Sequence, residues 1–434
     1  MKISKYFSIV FLLIIFTFNL SIYKEMIVHH KIKKEKNEIL NNHDISKSSN
    51  YVNWQKEYPI DNEIEEKNIN LNKTQNKKIL SKIKKSISEI ETRSNKFIPA
   101  RIKLVEAGHL INQLFGGNMF LKLDNMIRFN NGYFGFIISE KASFEADGLR
   151  TVEFAKYLNN HNIKFGYILC PSKFSKTKKD LPVGMEDYSN ENADSFIKVL
   201  KDNNIPMLDL RDELSKDYQD IFDAFFKTDH HWKTETGFWG TQKIIKFLNT
   251  ELKYTFDENI INKENFNFKL YPKMFLGSQG KKASLSIAEP DDFTLITPKF
   301  ETDFSYEAYN HGIKKTGKFE NSLLSLQELK GDYYNANPYG VYSQSQVARF
   351  INKLTANKNK IMIIKDSFVG VIAPFLACVT KEILLVDIRK DPDTFDGSIK
   401  KLIQKEKPDI VLILYHCGVF DPANKNVRYL HLFR

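Results

Sequence analysis

Cysteine is scarce: Cys170, Cys378 and Cys417 are the three in 434 residues, far apart and in apolar surroundings. They make no C-x-x-C pair and no zinc-ligand spacing, and they provide no disulfide framework. A stapled small scaffold and a zinc ribbon are thereby excluded, and buried free thiols are expected. Nucleic-acid-binding motifs are lacking too, although the formal net charge is +11. The excess is spread mainly as lysine, which suits an anionic polymer or lipid headgroups and serves plain solubility equally well. What is present is ample core material. Hydrophobic residues make up 42% of the chain and aromatics 13%, enough for one large domain or two ordinary ones.

The amino end opens with Met1-Lys2-Ile3-Ser4-Lys5, and Tyr6 to Ile22 comes next without a charge. As a helix, about 17 residues reach roughly 25 Å, close to a bilayer core. The two lysines before the run orient the downstream chain outward, and no small-x-small cleavage site is clear. The expectation is an uncleaved signal anchor over residues 1–23, with the rest of a single-pass protein outside the cytoplasmic membrane. Residues 24–98 are rich in Lys, Glu, Asn and Ser and cannot bury enough surface to fold alone. They read as a stalk, with one helical stripe at Ile79, Ile83, Ile87 and Ile90.

From residue 99 to 434 the chain reads as one globular body. An amphipathic helix is expected over 102–115, closed by Gly116-Gly117. A strand is expected at 133–138. Helices at 148–160 and 192–200 then alternate with strands at 163–169 and 205–210. A helix at 234–248, with Thr234 as its cap, comes after them. Residues 254–342 break the alternation and read as an irregular insertion containing a strand at 293–297. Strands at 361–364, 383–386 and 410–414 resume it, with helices at 369–379 and 397–405. Strand and helix at this spacing argue for an α/β fold, a parallel sheet covered on both faces.

Two segments carry chemistry. The first is Phe226-Lys227-Thr228-Asp229-His230-His231-Trp232. Neutral imidazole is the commonest proton acceptor near neutral pH, and an aspartate two residues before a histidine can hold its ring in one tautomer. On an extended segment the i, i+2 spacing puts Asp229 and His231 on one side, which favours His231 over His230 as the base. The second is Ile363-Ile364-Lys365-Asp366-Ser367-Phe368, a serine at the end of a buried strand and the start of a helix. A hydroxyl there faces the crevice at the carboxyl edge of the sheet, near backbone N–H donors. Other readings stand beside these: a metal site on Asp229, His230 and His231, a structural corner, and Ser367 as a plain helix cap.

Together the segments resemble the DHHW family of SGNH hydrolase-like proteins, relatives of the periplasmic alginate O-acetyltransferases. The matching residues are Phe226 to Trp232, Gly277-Ser278-Gln279-Gly280 and Ile364 to Phe368, with a further match at Asp187 to Asp194. The resemblance runs from about Asn130 to the end. It implies an SGNH-type three-layer sandwich and a triad of Ser367 as nucleophile, His231 as general base and Asp229 as its orienter. It also implies a polysaccharide substrate, and a multi-span membrane acyltransferase as the source of acetyl groups. No cofactor or resident metal is implied. The Gly-Asp-Ser start of ordinary GDSL enzymes reads Lys365-Asp366-Ser367 here, so their oxyanion donors do not transfer. Gln279 and the Gly277-to-Gly280 backbone are the candidates.

The resulting expectation is an extracytoplasmic serine-dependent O-acetyltransferase acting on an exported or cell-surface polysaccharide. A carbohydrate acetylesterase would use the same triad with water as acceptor, and a glycan-binding or assembly protein would not need it. A metal phosphoesterase would need further aspartates, for which Asp209 and Asp212 are the candidates. Trp232 and Trp239 could stack on sugar rings, Arg389 could bind a carboxylate, and Tyr342 could line the site; core packing or a surface ion pair is the alternative for each.

Overall fold

A computed structural model describes residues 126–423 except 175–180, 183, 284, 286, 310–311, 343–346 and 389–397. The anchor, the stalk with its isoleucine stripe, the helix at 102–115, and Arg389 lie outside the described residues. No helix among the described residues is long and apolar enough to cross a membrane.

Strands β1 (Met126–Arg128) and β2 (Phe134–Phe136) form a small antiparallel pair. Helix α1 (Glu145–Asn160), β3 (Lys164–Cys170), α2 (Ser189–Asp202), β4 (Met207–Asp209), α3 (Leu210–Asp217) and α4 (Thr234–Thr250) come next. Strands β5 (Phe266–Phe275) and β6 (Asp291–Pro298) make a long antiparallel ribbon. After β7 (Phe304–Ala308), β8 (Ile313–Gly317) and β9 (Val347–Asn352) come β10 (Lys360–Lys365), β11 (Glu382–Val386), α5 (Ile399–Glu406) and β12 (Ile410–His416).

The main sheet has eight strands in the order β4-β3-β12-β10-β11-β9-β7-β8. The run from β4 to β11 is parallel, and β9, β7 and β8 add to it antiparallel. The expected insertion of irregular strands over 254–342 is therefore regular in part: β5 and β6 pair only with each other, and its other strands join the main sheet. Its β7 and β8 extend the main sheet through β9, because the alternating burial of β7 gives it one face to pack and backbone groups that need a ladder.

Alternation along β10 assigns the two covering layers. Ile361 and Ile363 face a core that includes Phe238, Ile244 and Leu248 of α4. Met362 and Ile364 face the other core, with Phe154 of α1, Phe196 of α2 and Ile403 of α5. Strands buried on both faces and rich in Ile, Leu and Val are what a parallel sheet requires. The three cysteines are buried and free.

The helix expected over 369–379 is broken into two pieces. A 3₁₀ turn (Ser367–Val371) precedes a short α-helix (Ala373–Ala377) with Pro374 in its first turn. Proline is tolerated there because that N–H would have no intrahelical acceptor. The 3₁₀ turn is capped by Asp366, whose carboxylate accepts from Phe368 N at 2.9 Å. Ser367 is not the cap, so its hydroxyl is not engaged by its own turn.

Candidate active site

The segment around Asp229 is a narrow excursion closed at its base. Phe225 and Trp232 form an antiparallel bridge, Phe226 N donates to His231 O at 3.2 Å, and Lys233 N donates to Ala224 O at 2.8 Å. Phe225, Phe226 and Trp232 are fully buried and fix the ends of the loop. Its tip is held by two neighbours. Asp291, at the start of β6, accepts from Lys227 N at 2.6 Å and Thr228 N at 2.8 Å. The turn at Gly277–Gly280 supplies the rest: Gly277 N donates to Thr228 Oγ1 at 2.9 Å, Ser278 N to Asp229 Oδ2 at 2.8 Å, and Gly280 N to Thr228 O at 2.8 Å.

The excursion brings the two segments together. His231 Nδ1 lies 2.6 Å from Asp229 Oδ1, and His231 Nε2 lies 2.8 Å from Ser367 Oγ. Asp229 is 4% exposed. Burial alone would raise its carboxyl, but the adjacent imidazoles and the Ser278 N–H hold it well below the usual carboxylate range. An ionised carboxylate only accepts, so Nδ1 must carry the proton and Nε2 is left as an acceptor for the serine hydroxyl. The arrangement can take a proton from Ser367 while its oxygen attacks a carbonyl.

The packing around the base is aromatic. Tyr339 stacks on the His231 ring at 4.0 Å and donates from its hydroxyl to Ser367 O at 3.1 Å. Trp232 Nε1 donates to Phe368 O at 3.3 Å, tying the histidine loop to the serine turn. Neither Tyr339 nor Asp291 carries a signal in the sequence. Each sits beside a proline with no periodic pattern around it, and only the fold brings it to the loop.

Several expected ligand contacts are corrected by burial. Trp232 and Tyr342 are 0% exposed and have no surface to offer a sugar. Tyr342 instead exchanges hydrogen bonds with the backbone of Ile296 at 2.7 and 2.8 Å. Gln279 is also 0% exposed, beside the Lys173 ammonium. The N–H groups of Gly277, Ser278 and Gly280 are spent on Thr228 and Asp229, so that turn supports the acid rather than an oxyanion. Trp239 is partly buried, and its Nε1 donates to Asp217 at 2.8 Å. Thr234 does not cap α4; Lys233 occupies the cap position.

The metal reading has geometric grounds, since ligand atoms of Asp229, His230 and His231 lie within 4.8 Å of one another. Both ring nitrogens of His231 are already directed at Asp229 and Ser367, however. Asp209, the upstream aspartate such a centre would draw on, caps α3 and pairs with Arg211 at 2.6 Å.

Two predictions arise from the supports. A methyl group at Gly277 would overlap Asp229 Cβ and stand 2.6 Å from Thr228 O. Gly277→Ala is expected to lower acetyl-ester kcat/KM by about 10–100-fold through misplacement of Asp229, with about 1–3 kcal/mol of stability lost to overpacking. Unchanged kinetics in the folded variant would count against Asp229 as the orienter.

Lys173 is 2% exposed, with Nζ 2.6 Å from Phe134 O. Burial lowers its pKa to about 7, against the opposing pull of Asp229 and Asp291. A lysine so depressed binds fewer protons folded than unfolded between about pH 7 and 10, so folding stability rises with pH across that window by up to ~1.4 kcal/mol per unit. Lys173→Met is expected to remove that rise. Urea midpoints at pH 7.5 and 9.5 test it, and parallel profiles for the two proteins would refute it.

Comparisons with known proteins bear on the fold that holds these residues. Residues 138–263 match the family model described as the SGNH hydrolase-like domain of the acetyltransferase AlgX. That segment holds Asp229 and His231 and ends before Ser367. The structure of Bacillus cereus PatB1 superposes with a TM-score of 0.58 at 21% identity, covering 70% of this chain and 99% of that one. PatB1 with a sulfonyl adduct gives 0.56 at 20% identity, covering 68% and 95%. A DHHW family protein from Eubacterium siraeum gives 0.49 at 16% identity, covering 71% and 96%. A comparison with curated protein sequences finds no match. Over residues 138–263 this chain is thus similar to the SGNH hydrolase-like domain of the acetyltransferase AlgX, and its fold is similar to that of PatB1.

Proposed function

We propose that this protein is a serine-dependent O-acetyltransferase that acts on an exported or cell-surface polysaccharide. The observation that carries the reading is the continuous path Asp229–His231–Ser367, at 2.6 and 2.8 Å, assembled from segments 136 residues apart. Ser367 Oγ attacks the carbonyl carbon of an acetyl donor while its proton passes to His231 Nε2. The departing group of the donor takes that proton and leaves an acetyl ester on Ser367. A sugar hydroxyl then attacks the ester, giving its proton to His231, and the proton returns to Ser367 Oγ as the oxygen leaves. Asp229 stays ionised throughout and stabilises the imidazolium.

The setting of the reaction belongs to the same proposal. An uncharged run from Tyr6 to Ile22 after two lysines supports an anchor with the catalytic body outside the cytoplasmic membrane. Acetyl groups would then come from a multi-span membrane acyltransferase, and the net charge of +11 suits an anionic glycan. Mass spectrometry after exposure to an activated acetyl ester tests the chemistry. The expected result is one acetyl group on the peptide containing Ser367, absent in Ser367→Ala. Acetylation of another residue, or none during turnover, would refute the reading.

A further inference from the structure

A second carboxylate–imidazole pair lies beside the triad. His416, the last residue of β12, directs Nδ1 to Asp366 Oδ2 at 2.9 Å, and its own backbone N donates to the same oxygen at 2.8 Å. Asp366 is fully buried and also accepts from Phe368 N at 2.9 Å. The Asp366 carboxyl accepts from two backbone N–H groups and in the same way accepts from Nδ1–H, a tautomer in which Nε2 is the ring's hydrogen-bond acceptor. Among the described residues no donor reaches that nitrogen. The His416 side chain is 23% exposed, whereas Asp366 is 0%.

The ring is also fixed in place. It stacks on Phe368 at 4.6 Å and 16°. The same phenylalanine packs against the His231 ring at 5.3 Å. His416 and His230 line one cavity of about 330 Å³ with Phe136, Phe174, Ser172 and Asp421. His230 in turn lies 3.8 Å, ring to ring, from His231. The cavity thus lies one imidazole ring away from His231, holds aromatic side chains of the kind sugars pack against, and is lined by the oriented His416 ring.

We infer that this cavity is the acyl-acceptor subsite, and that His416, held by Asp366, positions the sugar by accepting a hydrogen bond from a second hydroxyl on the ring being acetylated. The inference rests on the acetyltransferase reading and adds to it. The ligand class is a polyol ring with at least two free hydroxyls, one presented to His231 and Ser367 and the other to His416 Nε2. His416 is a positioning residue and takes no proton in either half-reaction.

The test is product partition. Activated acetyl ester is supplied with methyl glucoside or with 1-propanol, and the ratio of acetyl transferred to acetate released is measured. His416→Phe keeps the stack on Phe368 and removes the acceptor nitrogen. Gly418→Ala keeps the histidine but displaces it, because a methyl group there would overlap Nε2 and stand 2.8 Å from Cε1. Each variant is expected to lower the ratio for methyl glucoside by about fivefold to tenfold, the worth of one oriented hydrogen bond, with the ratio for 1-propanol within twofold of wild type. A methyl glucoside ratio within twofold of wild type in either variant that keeps the wild-type circular dichroism overturns the assignment. An equal fall for 1-propanol overturns it too. Ser367→Ala separates this from the parent reading: if that variant still releases acetate at the wild-type rate, the acetyl-serine mechanism fails irrespective of His416.

Discussion

Ser367→Ala is expected to lower acetyl-ester turnover by about 10³-fold or more, equivalent to ~4 kcal/mol or more of transition-state stabilisation. The size reflects what the hydroxyl does in the proposed reaction: without it no covalent intermediate forms, and only donor binding and backbone polarity remain. The fold is expected to survive. Ser367 does not cap its turn, since Asp366 does. The hydroxyl's hydrogen bond is to His231 Nε2 at 2.8 Å. Losing it costs about 1 kcal/mol, and the exposed side of the ring lets water replace the partner. Steady-state kinetics with a chromogenic acetyl ester, paired with thermal unfolding, separate the two effects. Near-normal turnover in a folded variant would remove Ser367 from the mechanism.

Asp229→Asn is expected to lower kcat/KM by about 10²–10⁴-fold. The carboxylate accepts from His231 Nδ1 at 2.6 Å, His231 N at 3.1 Å and Ser278 N at 2.8 Å. An amide cannot satisfy all three donors. It either turns an NH₂ toward the Ser278 N–H or turns it toward His231. In the second case Nδ1 becomes the acceptor, the proton moves to Nε2, and the base can no longer take one from Ser367. The same substitution carries a pH signature. Because Asp229 is held well below the usual carboxylate range, it binds fewer protons folded than unfolded on the acid side. Its contribution to stability is present above about pH 4 and is lost as pH falls below that. The variant is expected to show a flatter acid limb in urea unfolding. A wild-type acid limb together with wild-type kinetics would count against the assignment.

The residues that are legible from sequence share one property: their neighbours along the chain declare them. Buried strands such as Ile361 to Ile364 and Ile410 to Leu414 read as apolar runs, and their observed spans differ by one or two residues. Asp229 and His231 stand two apart, and a bend in which His231 N donates to Asp229 Oδ1 at 3.1 Å brings their side chains together within the loop. Where sequence misleads, the deciding contact is distant. Tyr342 and Trp232 are aromatic residues near the motifs, yet both are enclosed by the core. The Gly277–Gly280 turn resembles a set of free backbone donors, but the histidine loop occupies them. The strands at 304–308 and 313–317 are submerged in a region with no regular period, and their place is apparent only through pairing with β9.

By itself the sequence marked out the layered α/β core and the Asp229–His231 pairing, because periodic burial and i, i+2 spacing act over a few residues. The tertiary structure alone decided which oxygen caps the serine turn, that Tyr339 rather than Tyr342 packs on the base, and that Asp366 and His416 form a pair across 50 residues. The physical reason is that such side-chain contacts, each worth about 1 kcal/mol, depend on the parallel pairing of β10 with β12. No local pattern in the chain records which strand ends will lie side by side.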